Sequence, residues 1–301
     1  MNSLIVLRVI RVHIVAGGVL AFSLGALLAI LTGGIVNLLH LALGYSVVFL
    51  GDLSTHFSND YFDVELDRHQ KNQKLFSNKK ILVNHPNLSP LAKKISLILL
   101  MLSNVLAGIM VLFFGAPTEL FIITFLANLL GWAYSAPPMR LSAKSLGELA
   151  IALATGFIIP SIGYLSVKGQ LDLLFVFLSI PFMMYGFFLS LNLEIPDIKN
   201  DQKGQKTTFA VRIGPKNSFY VLTAITSLVT LTFFVLMEQL FTNVINLKVI
   251  FFLSLIPLTT TVLGFLATFK NKSVNQFCSL NIIALFLFII SLNAYFFLLL
   301  T

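Results

Sequence analysis

Long apolar stretches alternate with short polar ones along the whole chain. The apolar runs cover 13–31, 35–57, 95–118, 120–139, 149–167, 173–193, 217–237, 249–269 and 273–301. Each is about the 20 residues that an α-helix, rising 1.5 Å per residue, needs to cross the hydrocarbon core of a bilayer. Helix is the expected form, because a segment in lipid must satisfy its backbone hydrogen bonds internally. Thr32-Gly33-Gly34 separates the first two runs. The pattern predicts an all-α polytopic membrane protein with nine transmembrane helices in a single domain spanning 1–301. The first run is too long, and lacks a clear cleavage site, to be a secretory signal peptide.

Composition agrees with that class and excludes a soluble globule. The chain is 57% hydrophobic, contains 29 Phe in 301 residues and has only 11% charged residues, which leaves too little polar surface to cover a water-facing exterior. The single cysteine, Cys278, lies in an apolar run; it permits no internal disulfide and says nothing about redox compartment. Charge sets the orientation. With the N-terminus in the cytoplasm, every Lys and Arg except Lys168 and Lys248 falls on the cytoplasmic side, as the positive-inside rule requires. The net charge of +8 is then accounted for by the lipid bilayer, with no nucleic-acid partner. The expected location is the cytoplasmic membrane of the cell.

Two polar stretches point to chemistry. Asn59-Asp60-Tyr61-Phe62-Asp63-Val64-Glu65-Leu66-Asp67 packs four carboxylates into eight residues. If this stretch continues the second helix, Asp60, Asp63 and Asp67 share a face with Asn59 beside them. Carboxylates so close repel by roughly 3 kcal/mol per pair at ~6 Å and an effective dielectric of ~20, so the face calls for a counter-ion, and all-oxygen ligands suit Mg²⁺. The second stretch is Glu194-Ile195-Pro196-Asp197-Ile198-Lys199-Asn200-Asp201, with Asp197 and Asp201 at helical spacing. Both follow even-numbered spans, so both meet the cytoplasmic membrane face. Either stretch alone is equally well read as a solvated helix end; together they suggest two halves of a metal-diphosphate site.

The ordered set of motifs resembles the UbiA superfamily of intramembrane prenyltransferases. The resemblance rests on Asn59, Asp60, Asp63 and Asp67 as N-D-x-x-D-x-x-x-D, and on Asp197 and Asp201 as D-x-x-x-D followed by the basic, glycine-containing segment up to Gly214. Tyr134-Ser135-Ala136-Pro137-Pro138-Met139-Arg140-Leu141, with Gly147-Glu148, carries it further. It implies a bundle enclosing a central cavity, with the isoprenyl tail of the substrate lying between helices and open towards lipid. It also implies Mg²⁺, as two ions held by Asp60, Asp63, Asp67, Asp197 and Asp201. The partners implied are an isoprenyl diphosphate and an aromatic acceptor; oligomeric state is left open. The Tyr61-Phe62 pair, Pro137-Pro138 and residues 197–214 look closest to enzymes that prenylate dihydroxynaphthoate in menaquinone synthesis. Hydroxybenzoate, homogentisate and geranylgeranylglyceryl phosphate are the alternative acceptors. The loop after the first motif departs from those enzymes, with Ser77-Asn78-Lys79-Lys80 where they tend to carry Ser-Gly-Gly.

Further residues are expected around the substrates. Lys203, Lys206 and Arg212 would share the charge of the departing diphosphate, and Arg11, Tyr134, Arg140 and Asn192 are candidates to bind substrate. Tyr61, Phe62, Trp132 and Tyr134 are candidate lining for a chamber that holds an allylic cation. Asp52 and His56 lie inside the second span on the strip of Asp60 and Asp63, which makes them candidates for acceptor binding or proton relay. Glu148 is expected to pair locally with Lys144. Asp172, in the predicted outer loop, is expected to have no part in the chemistry. A transporter would place ionisable residues deep in several spans; here only Asp52, His56 and Glu194 sit below the ends.

Overall fold

The computed structural model describes residues 12–64, 81–237, 244–269 and 274–301. Arg11, Asp67 and the rest of the polar segment 65–80 lie outside these residues. Nine long helices are described: α1 (Val12–Leu31), α2 (Leu38–Phe62), α3 (Ser89–Phe114), α4 (Thr118–Ser135), α5 (Gly147–Lys168), α6 (Leu173–Glu194), α7 (Phe209–Leu236), α8 (Leu247–Phe269) and α9 (Asn275–Leu298). Each overlaps one of the nine apolar runs. By length and composition α2 to α9 can cross a membrane, and α1 is a further 20-residue helix. No strand is described; the nearest thing to one is an isolated bridge between Lys144 and Thr207.

Local chemistry sets the helix ends. The Asn37 side chain accepts from the backbone N–H groups of Leu39 and His40, satisfying donors that the first turn leaves open. Asp172 does the same for Phe175 at the start of α6, and Thr208 for Val211 at the start of α7. Gly115 and Gly169 end α3 and α5 at φ 70° and 75°, the left-handed conformation in which a Cβ is penalised. α7 is bent at Gly214 (φ 78°, ψ 167°), immediately before Pro215, whose ring cannot continue the hydrogen-bond ladder.

The helices pack most closely where small residues allow it. A Cβ on Gly25 of α1 would lie 1.9 Å from the Pro160 carbonyl oxygen of α5, and one on Gly163 of α5 would lie 2.2 Å from the Phe22 oxygen of α1. The two backbones therefore touch through paired glycines, the device by which helices associate where the solvent is itself apolar. Large apolar side chains such as Ile35, Leu112, Phe113 and Phe252 remain exposed, as expected for an integral multi-pass protein whose outer surface meets lipid. Buried residues of α1, α5, α6, α7 and α9, among them Leu28, Tyr164, Phe188, Leu222 and Phe288, form the main core.

Candidate active site

A cavity of about 740 Å³ lies within the bundle, and its lining reaches the end that carries the acidic motifs. Its walls come from α1, α2, α4, α5, α6 and α9, with one residue of α3, and none of its lining belongs to α7 or α8. Within α5 the lining includes Ala154, Thr155 and Ile158, which lie in the π-helical turn Ala154–Ile158. Such turns re-aim side chains and recur at functional sites.

Residues from both motif regions meet at this cavity. Asp52, His56 and Asn59 of α2, Tyr134 of α4, and Asn192 and Asp197 at the end of α6 all line it. The Asn59 amide oxygen accepts a hydrogen bond from Ser135 Oγ, which ties the end of α2 to the end of α4. Asn192 Nδ2 donates to the Phe188 carbonyl, and Asn192 Oδ1 accepts from Asn281 Nδ2 at 2.9 Å. His56 Nε2 lies 3.5 Å from Asp52 Oδ2, and the His56 side chain is buried within the bundle.

The other described candidate residues are not part of the lining. Asp60 is only 2% exposed. The helix ends at Phe62, so Asp63 is its C-cap, with its backbone N–H bonded to the Asn59 carbonyl; Val64 is again helical, and the stretch onward to Asp67 lies outside the described residues. Asp63 Oδ1 is buried without a hydrogen-bond partner among the described residues. Asp197 closes a 3₁₀ turn, Ile195–Asp197, and the helix Ile198–Lys203 carries Asp201. Lys206 Nζ lies 3.9 Å from Asp201 Oδ1, and Lys203 is exposed. Arg140 takes a left-handed conformation, φ 43°, just after Pro137-Pro138. Arg11 and Asp67 lie outside the described residues. Among those residues no three His, Cys, Asp or Glu side chains converge on one point.

Two expectations need revision. Lys144 Nζ reaches the Pro138 carbonyl at 3.5 Å, while Glu148 Oε1 accepts from the Phe209 backbone N–H at 2.6 Å. Glu148 thus caps a distant helix instead of pairing with Lys144. With Thr207 N–H donating to the Ala143 carbonyl and Ser145 Oγ to the Thr207 carbonyl, it docks the segment after the second motif onto the start of α5. Of the proposed aromatic lining only Tyr134 faces the cavity; Phe62 packs edge-on against Trp132 and Tyr61, and Lys93 sits over the Tyr61 ring. The aromatic lining deeper in is Phe182, Tyr185, Phe286 and Phe288, and the buried Tyr185 hydroxyl has no hydrogen-bond partner. Tyr185 sits mid-span in an apolar run, where no sequence pattern marks it. Asp172, expected to stand outside the chemistry, caps α6 and accepts from Lys168 Nζ at 2.6 Å and from the Tyr164 hydroxyl, at the far end of the bundle.

The donor set at the mouth fits Mg²⁺. It is built of carboxylate and amide oxygens, and one of those oxygens, Asp63 Oδ1, is buried unpartnered. Mg²⁺ typically takes one or two carboxylates, keeps waters and shares phosphates, so three converging carboxylates are not required of the protein.

Comparison with known proteins follows the same lines. A family model described as the UbiA prenyltransferase family matches residues 19–290. The chain is 29% identical over 204 residues to digeranylgeranylglyceryl phosphate synthase of Pyrococcus abyssi, a match covering 64% of this chain and 66% of the relative. It is 24% identical over 216 residues to 1,4-dihydroxy-2-naphthoate octaprenyltransferase of Bacillus subtilis, covering 71% and 67%. The matched region thus spans about two thirds of either relative. Among solved structures, a UbiA homolog from Archaeoglobus fulgidus bound to GPP and Mg²⁺ superposes with a TM-score of 0.68 at 21% identity, covering 97% of this chain and 99% of that one.

Proposed function

Because the chain belongs to the UbiA prenyltransferase family, we propose that it transfers an isoprenyl group from an allylic diphosphate to an acceptor, in a Mg²⁺-dependent reaction at the acidic mouth of the cavity. The single observation that carries this reading is the meeting of the two motif regions, through Asn59 and Asp197, on one cavity whose deeper walls are apolar. Asp60, Asp63, Asp67, Asp197 and Asp201 would hold Mg²⁺, in two ions, with the diphosphate. Bound there, Mg²⁺ supplies Lewis-acid stabilisation of the departing diphosphate.

This chain's residues do the rest. Ser135 fixes the Asn59 side chain, and Asn281 with the Phe188 carbonyl fixes Asn192, so two amide groups reach the substrates already oriented. Lys206, held near Asp201, and Arg140 would balance phosphate charge. Leu24, Ile162, Phe182 and Phe288 line the interior, which receives the isoprenyl tail and keeps water from an allylic centre with cationic character. The proposed setting is the cytoplasmic membrane, with the mouth facing the cytoplasm, in agreement with the distribution of Lys and Arg.

For the acceptor, the motif resemblance and the B. subtilis relative favour dihydroxynaphthoate, as in menaquinone synthesis. The P. abyssi relative supports a second reading, in which the acceptor is geranylgeranylglyceryl phosphate. Purified protein incubated with Mg²⁺, labelled prenyl diphosphates and a panel of aromatic and glycerol-phosphate acceptors decides between them. A prenylated product of dihydroxynaphthoate is expected, with its carboxyl group released as CO2; transfer only to the glycerol phosphate replaces the first acceptor by the second, and no transfer to any acceptor overturns the enzyme reading.

A further inference from the structure

Asp52 and His56 lie on the cavity wall but outside the acidic mouth. His56 is three residues before Asn59, one helical turn or ~4.5 Å further in along α2, and Asp52 is a turn deeper again. Both side chains line the cavity. His56 Nε2 is buried without a hydrogen-bond partner, and its 3.5 Å separation from Asp52 Oδ2 is wider than a good hydrogen bond. His56 is 4% exposed, and Asp52 at that distance offsets only part of the desolvation cost of the imidazole nitrogen.

The surroundings leave room for a ligand at this pair. The facing residue on α1 is Gly18, and a Cβ there would stand 3.8 Å from Asp52 Oδ2. The other titratable groups on the cavity wall are Tyr134 of α4, Tyr185 of α6 and Asp197 at the end of α6; α9 contributes Asn275, Gln276, Ser279 and the Cys278 thiol. None of these described lining groups is a Lys or Arg.

We propose that Asp52 and His56 form the acceptor subsite, with His56 Nε2 as the base that takes the acceptor's proton and Asp52, whose Oδ2 lies 3.5 Å from that nitrogen, as the carboxylate that stabilises the imidazolium so formed. This deepens the prenyl-transfer reading and rests on it. In the step itself the bond between allylic C1 and the diphosphate oxygen breaks, and the electron pair leaves with the diphosphate. A new bond forms from C1 to an acceptor atom, either a hydroxyl oxygen or a ring carbon beside a phenolic hydroxyl. The proton of that hydroxyl passes to His56 Nε2; an attacked ring carbon then releases its own proton or, where it carries a carboxyl group, CO2, and the hydroxyl is restored. The subsite lies one turn inside the mouth, so a diphosphate held at Asn59 and Asp197 presents its C1 toward it. The acceptor class is a hydroxylated compound that reacts through the part inserted beside His56.

The test separates acceptor chemistry from diphosphate binding. His56→Ala is expected to lower transfer at least ~10²-fold, the usual scale of a lost general base, while affinity for a prenyl diphosphate stays within about twofold of wild type. Added imidazole, small enough to enter the cavity, should restore at least ~10-fold of the loss in His56→Ala, which a purely structural role would not allow. If His56→Ala does not fold, His56→Gln, which keeps much of the volume but cannot take the proton, is measured in its place and should show the same loss without the rescue. Asp52→Asn should raise the acceptor KM and lower kcat less than the His56 variants do. A folded His56 variant that transfers at a rate within threefold of wild type overturns the assignment, as does a loss matched by an equal loss of diphosphate affinity. If wild-type protein binds prenyl diphosphate but transfers it to no hydroxylated acceptor, the prenyl-transfer reading itself fails.

Discussion

Asp172 and Asp63 are both carboxylates at helix termini, at opposite ends of the bundle and in opposite electrostatic settings. Asp172 caps the N-terminus of α6, where the helix dipole is positive. It accepts from the Phe175 N–H, from Lys168 Nζ and from the Tyr164 hydroxyl, and Lys168 also reaches the Thr32 carbonyl at 2.9 Å. Every part of that arrangement serves the fold. Asp63 caps the C-terminus of α2, where the dipole is negative, and its Oδ1 is buried without a partner. Folding gains nothing from a carboxylate so placed. Under the proposed function a bound cation would offset the electrostatic cost of that placement, and the difference would then separate a structural acid from a functional one.

The largest effect expected is from metal removal. Chelator should abolish turnover, and Mg²⁺ should restore it, with Ca²⁺ restoring little because its longer, looser coordination suits a diphosphate clamp poorly. Full turnover in excess chelator, followed by product formation, removes the metal from the reaction and with it the reason for the mouth's unbalanced charge.

Next come the mouth aspartates. Asn at Asp60, Asp63, Asp67, Asp197 or Asp201 keeps size but loses charge, and each variant should lose at least ~10²-fold in turnover, about 3 kcal/mol of transition-state stabilisation. Thermal stability of the metal-free protein should hold or rise in Asp63→Asn, since the carboxylate there faces the wrong end of the dipole. Wild-type turnover in both Asp60→Asn and Asp201→Asn, at saturating Mg²⁺, would mean that the acidic mouth is only a solvated surface.

Glu148 breaks the simple division by position, because it lies near the mouth yet does structural work. Glu148→Leu leaves the Phe209 N–H unsatisfied at the start of α7 and should cost about 1–3 kcal/mol of stability, seen as a lower melting temperature in detergent. Glu148→Gln, which still accepts that hydrogen bond, should recover most of the loss. Equal destabilisation by both variants would show that the charge, and not the hydrogen bond, holds the segment.

How much of this was legible in the sequence follows from the range of each interaction. The nine long helices were readable because lipid forces every crossing segment to be a ~20-residue helix, and the two motifs were readable because their residues are close in sequence. Helix ends were less so. α3 begins at Ser89, before the charged pair Lys93 and Lys94 that bounded the apolar run, because Pro90 suits a first turn and long basic side chains can extend from a membrane helix to its interface. α7 begins at Phe209, ahead of the run at 217, because Thr208 caps it and the bend at Gly214 lets a polar first turn sit at the mouth. Partners distant in sequence were not legible at all. The Glu148 to Phe209 bond spans 61 residues, and the Tyr164–Lys168–Asp172 group is closed by Thr32, 132 residues from Tyr164. Local charge spacing named a partner for Glu148 that tertiary packing replaced, and left Asp172 with none.

The smallest effect is expected at Asp172, and it tests the far end of the comparison. Asn at 172 can still cap α6, since Asn and Asp are about equal in that role, so the variant isolates the charge shared with Lys168. Turnover should stay within about twofold of wild type, while stability at neutral pH should fall by no more than about 1 kcal/mol, the usual ceiling for an ion pair that water still reaches. Burial pushes the Asp172 carboxyl up, but hydrogen bonds from Lys168, Tyr164 and the Phe175 N–H, with the Lys168 charge, carry it below the usual carboxylate range. A folded-state value below the unfolded one gives stabilisation that is complete above the unfolded value of ~3.9 and disappears as pH falls through the folded value. Wild type and Asp172→Asn should therefore differ in melting temperature at neutral pH and converge under acid conditions below ~4. Curves that stay apart at low pH would assign the difference to packing around Tyr164, and a change in turnover larger than the change in stability would place Asp172 in communication with the mouth.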